Sequence, residues 1–307
     1  MKHKSISYAK WGYIFVIPFF AVFIVFNLFP LLSTFKNSLY EYYKSNGVTF
    51  GPNWIGLQNY TKLFSTEVNV GKYFMNTFII WLMGFIPQIF FSLLFASWFT
   101  DLRMKLKTGA YKIIFYLPNV IMAAAMGMLF FTMFDQSGPM TMMLKPFTGG
   151  VAYKFFENVW SQRTIIALIN FMMWYGNTTI MLMAAINGVD PSLYESAQID
   201  GANPSQTFWN ITIPLIRPIL VYVLITSLIG GLQMYDVPQI ITRNGDAVNR
   251  TSMTMIMYLQ YQMNIGKNYG YAGAISVVLF VVAAALSMLV FYINSDKDEK
   301  KRKKGVK

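Results

Sequence analysis

The sequence has no cysteine, one histidine and few charged side chains. The absence of cysteine excludes disulfides, thiol catalysis and cysteine-based zinc sites. The histidine, His3, lies in the N-terminal tail, so the body of the chain cannot supply a Ser-His-Asp triad. Charged residues make up 12% of the 307 residues, whereas a globular domain carries about 25%. So few charges do not cover the surface of a soluble protein.

Long apolar runs take up most of the chain, in which hydrophobic residues make up 55%. The net charge of +12 comes from basic residues scattered between these runs, which is not the basic stripe of a nucleic-acid-binding protein. A helix that crosses a bilayer needs about 20 apolar residues, and a charge at its centre costs about 2.5–3.5 kcal/mol. The charge-free windows long enough to span are residues 11–35, 73–100, 113–134, 164–189, 218–235 and 268–295. The sequence therefore predicts an all-α integral membrane protein with six transmembrane helices.

Basic residues predict the orientation of these spans. More than half of the Lys and Arg residues fall in the tails and loops on the side of the two termini. Cytoplasmic loops carry an excess of Lys and Arg, so both termini are predicted to be cytoplasmic. A cleaved signal peptide is the alternative for the first apolar run, but that run is too long and no A-x-A site follows it.

The predicted spans divide the chain into three regions. Residues 1–72 contain the N-terminal tail, the first span and the first outside loop. Residues 73–293 form a core of five spans that includes a cytoplasmic loop at 190–216. Residues 294–307 form a basic cytoplasmic tail, which is typical of a solvated segment beside anionic lipid.

The loop at 190–216 departs from the positive-inside pattern. It carries Asp190, Glu195 and Asp200, and no basic residue precedes Arg217. An amphipathic helix lying on the bilayer is the alternative, but such helices favour Lys and Arg on their polar face. The acidic composition favours a structured element that docks on another protein.

Capping and turn residues predict two short helices in this loop. Asp190 is suited to the N-cap, with Pro191 at the first helical position, so a helix is predicted over 192–199. Gly201 permits a turn that residues with a β-carbon resist. A second short helix is predicted over 205–211, before the fifth span begins.

The same loop carries a spaced motif. Its positions are Glu195, Ser196, Ala197, Gly201, Ile211, Ile213 and Pro214. Their order and spacing resemble the EAA loop of bacterial ABC importer permeases, in which Glu-Ala-Ala precedes a glycine and, nine residues later, Ile-x-Leu-Pro. Ser196 stands where that family has alanine and Ile213 where it has leucine, and both changes are small.

Other stretches resemble the carbohydrate-uptake branch of that family. They are residues 53–60, Trp174, Gly176, Met181, residues 233–236 and residues 270–276. The resemblance extends from about residue 11 to residue 293. Ile17-Pro18 and Phe29-Pro30 resemble the first of the two permease subunits that maltose- and glycerol-phosphate-type systems encode.

The resemblance implies the type I ABC importer permease fold in a multi-pass protein of the bacterial cell membrane. Such a subunit is not an enzyme. It assembles with a second homologous permease, two ATPase subunits that bind ATP and Mg, and an extracytoplasmic solute-binding protein. The residues expected to couple it to an ATPase are Asp190, Glu195, Ser196, Ala197, Asp200, Gly201, Ala202 and Pro214. No cofactor, metal or nucleic acid is expected on this chain, whose Gly266-Lys267 lacks the rest of a Walker A loop.

Polar side chains at membrane depth are candidates for the path of a solute. Amides and carboxylates bind sugar hydroxyls, and aromatic faces bind the C–H surfaces. The candidates with this chemistry are Asn170, Trp174, Tyr175, Asn177, Gln233, Tyr235 and Asp236. The alternatives are hydrogen bonds between helices, an outer helix end at Asp236, and a solute site held by the partner permease.

The family resemblance predicts a permease that forms half of the pathway for a sugar, with a di- or oligosaccharide as the usual substrate. A secondary transporter or channel without an ATPase partner is the alternative. It needs ionisable groups within the spans or paired broken helices, and the sequence shows neither apart from Asp236. An intramembrane enzyme lacks any catalytic set.

Overall fold

The computed structural model describes residues 9–65, 70–100, 108–243 and 250–305. The chain divides into two compact units, Met1–Asn69 with Leu259–Val281, and Val70–Tyr258 with Val282–Lys307. His3 and several basic residues that predict the orientation lie outside the described residues, namely Lys2, Lys4, Arg103, Lys105 and Lys107.

The first unit begins with an apolar helix and a β-hairpin. Its elements are α1 (Ala9–Phe23), a π turn (Ile24–Leu28), α2 (Phe29–Ser38), β1 (Tyr40–Ser45), β2 (Val48–Trp54) and α3 (Gln58–Leu63). β1 and β2 pair antiparallel, with Tyr40 opposite Trp54. Asn46 and Gly47 join them with φ values of 49° and 81°, and an Asn-Gly pair with both φ positive matches the twist of a two-residue hairpin.

The second unit is a bundle of long helices. Its elements are α4 (Val70–Thr100), α5 (Thr108–Val120), α6 (Ala123–Phe134), α7 (Pro139–Leu144), a 3₁₀ turn (Lys145–Thr148), α8 (Val159–Asn187), α9 (Pro191–Ile199), α10 (Pro204–Thr207), a π turn (Phe208–Thr212), α11 (Ile213–Leu232) and α12 (Asp236–Ile241). α13 (Met255–Asn264) and α14 (Tyr269–Gly305) each contain residues of both units.

α4 and α8 form the most extensive helix pair in the described part of the second unit. They approach closely at Gly84, where an added β-carbon would lie 3.1 Å from the carbonyl oxygen of Ala167. Ile80 and Ile166 are fully buried in the apolar cluster beside this crossing. α5 packs on α8 through Gly176, at which a β-carbon would collide with the backbone of Phe115. Small residues let membrane helices pack this closely.

Five helices among the described residues are long and apolar enough to cross a membrane. They are Lys10–Ser38, Val70–Thr100, Val159–Asn187, Pro204–Ile241 and Tyr269–Asn294. Five of the six predicted spans fall within these helices or overlap them. The chain is therefore a mostly helical protein with several membrane-spanning candidates.

The predicted third span, residues 113–134, is not one straight helix. Gly109–Val120 and Ala123–Thr148 meet at an angle of 86°, and together they are apolar enough to count as a single span. The chain breaks where Met122 adopts an extended backbone, with ψ of 135°. Pro118, one turn earlier, has no backbone N–H and weakens the helix there. Charge-free length could not show this bend.

The second short helix predicted over 205–211 does not stand alone. Pro204–Thr207 continues through the π turn Phe208–Thr212 into α11, so one helical segment extends from the loop into the membrane. Pro214 lies in the first turn of α11, one residue after the helix begins at Ile213. The wider π turn accommodates the missing N–H of the proline, so the helix continues.

Candidate functional site

Three helices of the second unit enclose a cavity of about 260 Å³. The α4 residues that line it are Trp81, Gly84, Phe85 and Gln88. The α8 residues are Asn170, Trp174, Asn177, Thr178 and Met181. The remaining residues come from α11 and the turn after it: Tyr222, Val223, Thr226, Ser227, Gly230, Gly231 and Met234. Amide, hydroxyl and aromatic groups face one another here, and none of the lining side chains is charged.

Helical spacing explains why these residues meet. On α8 the lining positions follow one another at intervals of three and four from Asn170, which places them on a single face. α4 presents a similar stripe that begins at Trp81. On α11 the small residues Gly230 and Gly231 leave room at the wall, and a β-carbon at Gly231 would collide with the Trp81 ring. The Trp81 ring therefore packs directly against Gly231, and the space beside Gly230 stays open.

Hydrogen bonds hold most polar groups of the cavity wall. Trp81 Nε1 donates to Ser227 Oγ at 3.1 Å, which links α4 to α11. Gln88 Nε2 donates to Thr178 Oγ1 at 2.8 Å, which links α4 to α8. The side chain of Asn177 makes no hydrogen bond within the described part of the chain. Its amide is therefore available to a solute.

The structure brings together three of the seven predicted solute-path residues. Asn170, Trp174 and Asn177 line the cavity, and Trp174 exposes 48% of its surface. Asn170 Nδ2 donates to the carbonyl of Ile166 at 2.9 Å and to Met234 Sδ at 3.2 Å. Its amide N–H groups therefore bind protein, and its carbonyl oxygen remains available as an acceptor.

The other four predicted residues lie elsewhere. Tyr175 packs its ring against Phe171 and Phe115, away from the cavity lining. Gln233 directly follows α11, Tyr235 precedes α12 and Asp236 begins α12. Their place in a solute path stays a prediction.

The sequence did not single out Trp81 and Phe85 on α4 or the α11 side of this cavity. Trp81, Phe85 and Gln88 lie at positions i, i+4 and i+7, and Tyr222 and Thr226 lie at i and i+4. Aromatic and polar residues that recur at helical spacing within an apolar span were a signal that could have identified both stripes.

The acidic loop has the predicted local structure at its first helix. α9 comprises Pro191–Ile199, and Asp190 Oδ1 accepts the backbone N–H of Ser192 at 2.9 Å. This backbone hydrogen bond, followed by one from the Ser192 side chain, holds the pKa of Asp190 below its ordinary value. The exposed carboxylate therefore stays ionised at neutral pH, and the cap weakens only as the pH falls towards the acidic range.

The turn after α9 depends on glycine. Gly201 has φ of 75°, in the left-handed region that residues with a β-carbon resist, and its surroundings are open. Asn203 and Gln206 then form a reciprocal capping box, with hydrogen bonds of 2.8 and 2.9 Å, at the start of α10. Ala202 lies half-buried at this turn, and Pro214 lies one residue into α11. The bend is thus fixed at both sides of the glycine.

The outer surface of α9 combines acidic and apolar groups. Ser196, Glu195 and Asp200 are exposed, and Ile199 exposes 86% of its surface. Ala197 faces inward with 8% exposed. Behind the helix lies a second cavity of about 510 Å³, with Tyr194 and Thr212 among its lining residues. Ile199 thus places an exposed apolar side chain at the end of a helix that Asp190 caps at its start.

Among residues 9–65, 70–100, 108–243 and 250–305, no three His, Cys, Asp or Glu side chains are placed to hold a metal ion. The cavity between α4, α8 and α11 can bind an uncharged polar molecule. At one end of these helices, α9 and the turn at Gly201 form a structured element that can contact another protein.

Long apolar helices around an uncharged polar cavity define the class of multi-pass membrane transport components. The chain belongs to the family described as the binding-protein-dependent transport system inner membrane component, which it matches over residues 11–298. The predicted family, the permeases of ABC importers, is thereby confirmed. Members of this family are transport subunits rather than enzymes.

The relatives include sugar permeases. The chain is 29% identical to the arabinooligosaccharides transport system permease protein AraP of Bacillus subtilis, over 93% of this chain and 90% of that protein. It is 28% identical to the lactose transport system permease protein LacF of Rhizobium radiobacter, over 92% and 93%. It is 27% identical to the trehalose/maltose transport system permease protein MalF of Thermococcus litoralis, over 93% of each.

A solved structure shares the fold. A chain in the crystal structure of a bacterial ABC transporter involved in the import of the acidic polysaccharide alginate has a TM-score of 0.78 at 23% identity. The match covers 93% of this chain and 95% of that one. A second structure of such a transporter, in complex with an alginate pentasaccharide-bound periplasmic protein, has a TM-score of 0.74. The helical architecture is therefore that of an ABC importer permease.

Proposed function

We propose that this chain is one of two permease subunits of an ATP-driven importer, that it forms half of the pathway for a di- or oligosaccharide, and that residues 190–216 couple it to an ATPase subunit. The observation that carries the proposal is the capped, glycine-hinged α9 with an exposed apolar side chain at its end. A coupling element must transmit force, and a helix fixed at its cap and at its bend is rigid enough to do so.

The chemistry of α9 suits a groove on a partner protein. Ile199 offers an apolar anchor, because burying a side chain of this size contributes about 1.5–3 kcal/mol. Glu195 lies one helical turn before Ile199 and Asp200 directly follows it, while Asp190 lies at the other end of α9; these exposed carboxylates can accept charge-assisted hydrogen bonds from a basic groove. A segment lying in lipid would bring these carboxylates against the anionic headgroups.

The cavity suits a sugar. Asn177 has a free amide for hydroxyl groups, and Trp174 exposes an aromatic face for C–H surfaces. The uncharged lining favours a neutral solute over an ion. The sugar-transporting relatives named above support the same substrate class, with glycerol phosphate and monosaccharides as the less common substrates of the family.

In the proposed importer this chain assembles with a second homologous permease, two ATPase subunits that bind ATP and Mg, and an extracytoplasmic solute-binding protein. In our proposed topology the bent pair α5 and α6 is the third of six spans, so that both termini and residues 190–216 are cytoplasmic in a bacterial cell membrane. ATP hydrolysis then takes place entirely on the partner subunits. This chain moves in response to them.

Replacing Gly201 with valine tests the coupling role. Valine resists φ of 75°, so the bend after α9 must change while the surroundings leave room for the side chain. In the purified complex in proteoliposomes, we expect sugar uptake per ATP hydrolysed to fall at least about tenfold, since this strain of about 1–2 kcal/mol displaces the element that transmits the motion.

Gly149 provides the matched control. It also has positive φ, 68°, and open surroundings, but it lies on a turn between α7 and α8. Gly149→Val carries the same backbone strain and should leave the coupling ratio unchanged. Wild-type coupling in the Gly201→Val complex would reject residues 190–216 as the coupling element. Uptake that persists when the partner ATPase is inactivated would instead support a secondary transporter or channel.

A further inference from the structure

A buried arginine lies near the N-terminal ends of α4 and α8, outside the cavity. Arg163 is 8% exposed, and the described residues place no carboxylate against it. Its Nη2 donates to Asn76 Oδ1 at 2.7 Å and to the carbonyl of Thr251 at 2.6 Å, and Nε donates to the same carbonyl at 3.2 Å. Its guanidinium also lies 5.3 Å from the centre of the Trp160 ring. A cation buried with neutral partners is costly, so it needs every one of these acceptors.

Arg163 and α4 together hold residues 250–255. Asn76 Nδ2 donates to the carbonyls of Arg250 at 3.2 Å and Met253 at 3.1 Å. The backbone N–H of Met255 donates to Thr77 Oγ1 at 3.0 Å. We call Arg163, Asn76 and residues 250–255 the arginine clamp. The clamp attaches an irregular segment to two long helices through its backbone.

The arginine clamp is connected to the wall of the cavity by a hydrogen bond from the Thr254 hydroxyl. Thr254 is fully buried, and its Oγ1 donates to the carbonyl of Met234 at 2.9 Å. Met234 lines the cavity and accepts a hydrogen bond on its sulfur from Asn170. It lies between the end of α11 and the start of α12, where its backbone N–H donates to the carbonyl of Gly231 at 3.3 Å. Thr254 and Asn170 add the contacts that attach this turn to residues 250–255 and to α8.

We propose that Arg163 is a positioning residue for transport: through residues 250–255 and Thr254 it fixes Met234 at one end of the cavity and so controls access from that end. The proposal rests on the transport function proposed above. In the six-span topology this end faces the outside, from which the sugar arrives. An arginine suits this task because one side chain supplies several donors at once, and because hydrogen bonds to neutral carbonyls can be released and remade.

Gly230 offers a reporter for this access. The natural chain has no cysteine, so a single introduced cysteine is the only thiol it carries. Gly230 lines the cavity, and an added β-carbon meets nothing within 4 Å. The experiment uses the assembled transporter with the Gly230→Cys substitution and no ATP. A membrane-impermeant maleimide is added to one face of the membrane at a time, and the rate of cysteine alkylation is measured for each face.

Two substitutions should open the cavity from the outer face. Arg163→Met keeps the length of the side chain and removes its donors, while Thr254→Val removes only the hydroxyl. We expect each to raise the alkylation rate from the outer face at least about tenfold, the factor for one lost charge-assisted or buried hydrogen bond. Arg163→Lys keeps a donor and the charge, and should stay within about threefold of the native rate.

Lys154→Met is the control, because Lys154 is an exposed basic side chain shortly before α8 that forms a surface ion pair with Glu157. It should not change the rate. An unchanged rate in either Arg163→Met or Thr254→Val overturns the proposal, as does an increase that appears equally on both faces. Thr254→Val keeps the test valid if Arg163→Met prevents assembly. Because the reaction is read without ATP, its outcome does not depend on whether transport is ATP-driven.

Discussion

At the scale of single residues, some polar groups of the cavity wall hydrogen-bond to other parts of the protein, and others are available to a solute. Gln88 and Thr178 bind each other across α4 and α8, and Trp81 binds Ser227 across α4 and α11. Asn177 faces the same space with no partner in the described structure. The sequence identified Asn177 by its polarity alone, and only the structure shows that its amide is free while Gln88, Thr178 and Ser227 are hydrogen-bonded.

Replacing Asn177 with leucine should weaken sugar transport without disturbing the fold. A hydrogen bond to an uncharged group contributes about 0.5–1.5 kcal/mol, so the KM for uptake should rise about two- to tenfold. Uptake of radiolabelled sugar by membrane vesicles measures it. Asn264→Leu removes an exposed amide that lies outside the cavity lining and should leave the KM unchanged. An unchanged KM in Asn177→Leu would remove this residue from the pathway.

At the scale of helices, close approach depends on glycine. Gly176 lies where α8 touches the backbone of α5 at Phe115, and Gly84 lies where α4 touches α8. The sequence located α4 and α8 from charge-free length, because the cost of a buried charge sets those bounds. It could not show which glycines lie at crossings, since the partner helix is distant in sequence.

Gly176→Val should destabilise the bundle. The added side chain must push α5 away from α8, and overpacking of this kind costs about 1–3 kcal/mol. We expect a lower thermal unfolding midpoint in detergent and less complex recovered from membranes. Gly71→Ala is the matched control, because Gly71 lies near the start of α4 and a β-carbon there meets nothing within 4 Å. Equal thermal unfolding midpoints for Gly176→Val and Gly71→Ala would contradict the close contact between α5 and α8 at Gly176.

The departures from the predicted helices also have causes at this scale. The bend between α5 and α6 follows Pro118 and the extended Met122, within a window that has no charge to mark a boundary. The π turn Phe208–Thr212 carries the helix past Pro214, which a simple rule for proline treats as a break. Local caps such as Asp190 and Asn203 were predictable because their partners lie only two or three residues away.

At the scale of the whole molecule, the exposed surface is informative. Trp11, Phe15 and other large apolar side chains of the first helix are exposed, as suits a helix meant for lipid or for another subunit. Ile199 is exposed too, but it lies one helical turn after Glu195 and directly before Asp200, which suits a protein partner rather than lipid. The acidic composition of residues 190–216 predicted an element that docks on another protein. The structure adds an exposed apolar side chain, Ile199, at the end of α9.

The most direct test of the account is photo-crosslinking from the outer surface of α9. A benzophenone amino acid at Ser196, an exposed position, should form an adduct with the co-expressed ATPase subunit when the assembled complex is illuminated in membranes. The same group at Lys154, in the turn before α8, should form none with the ATPase. Mass spectrometry of the adduct identifies the partner. An adduct with the ATPase from Ser196 alone is the predicted result, and adducts only with lipid, or none in an intact complex, would contradict it.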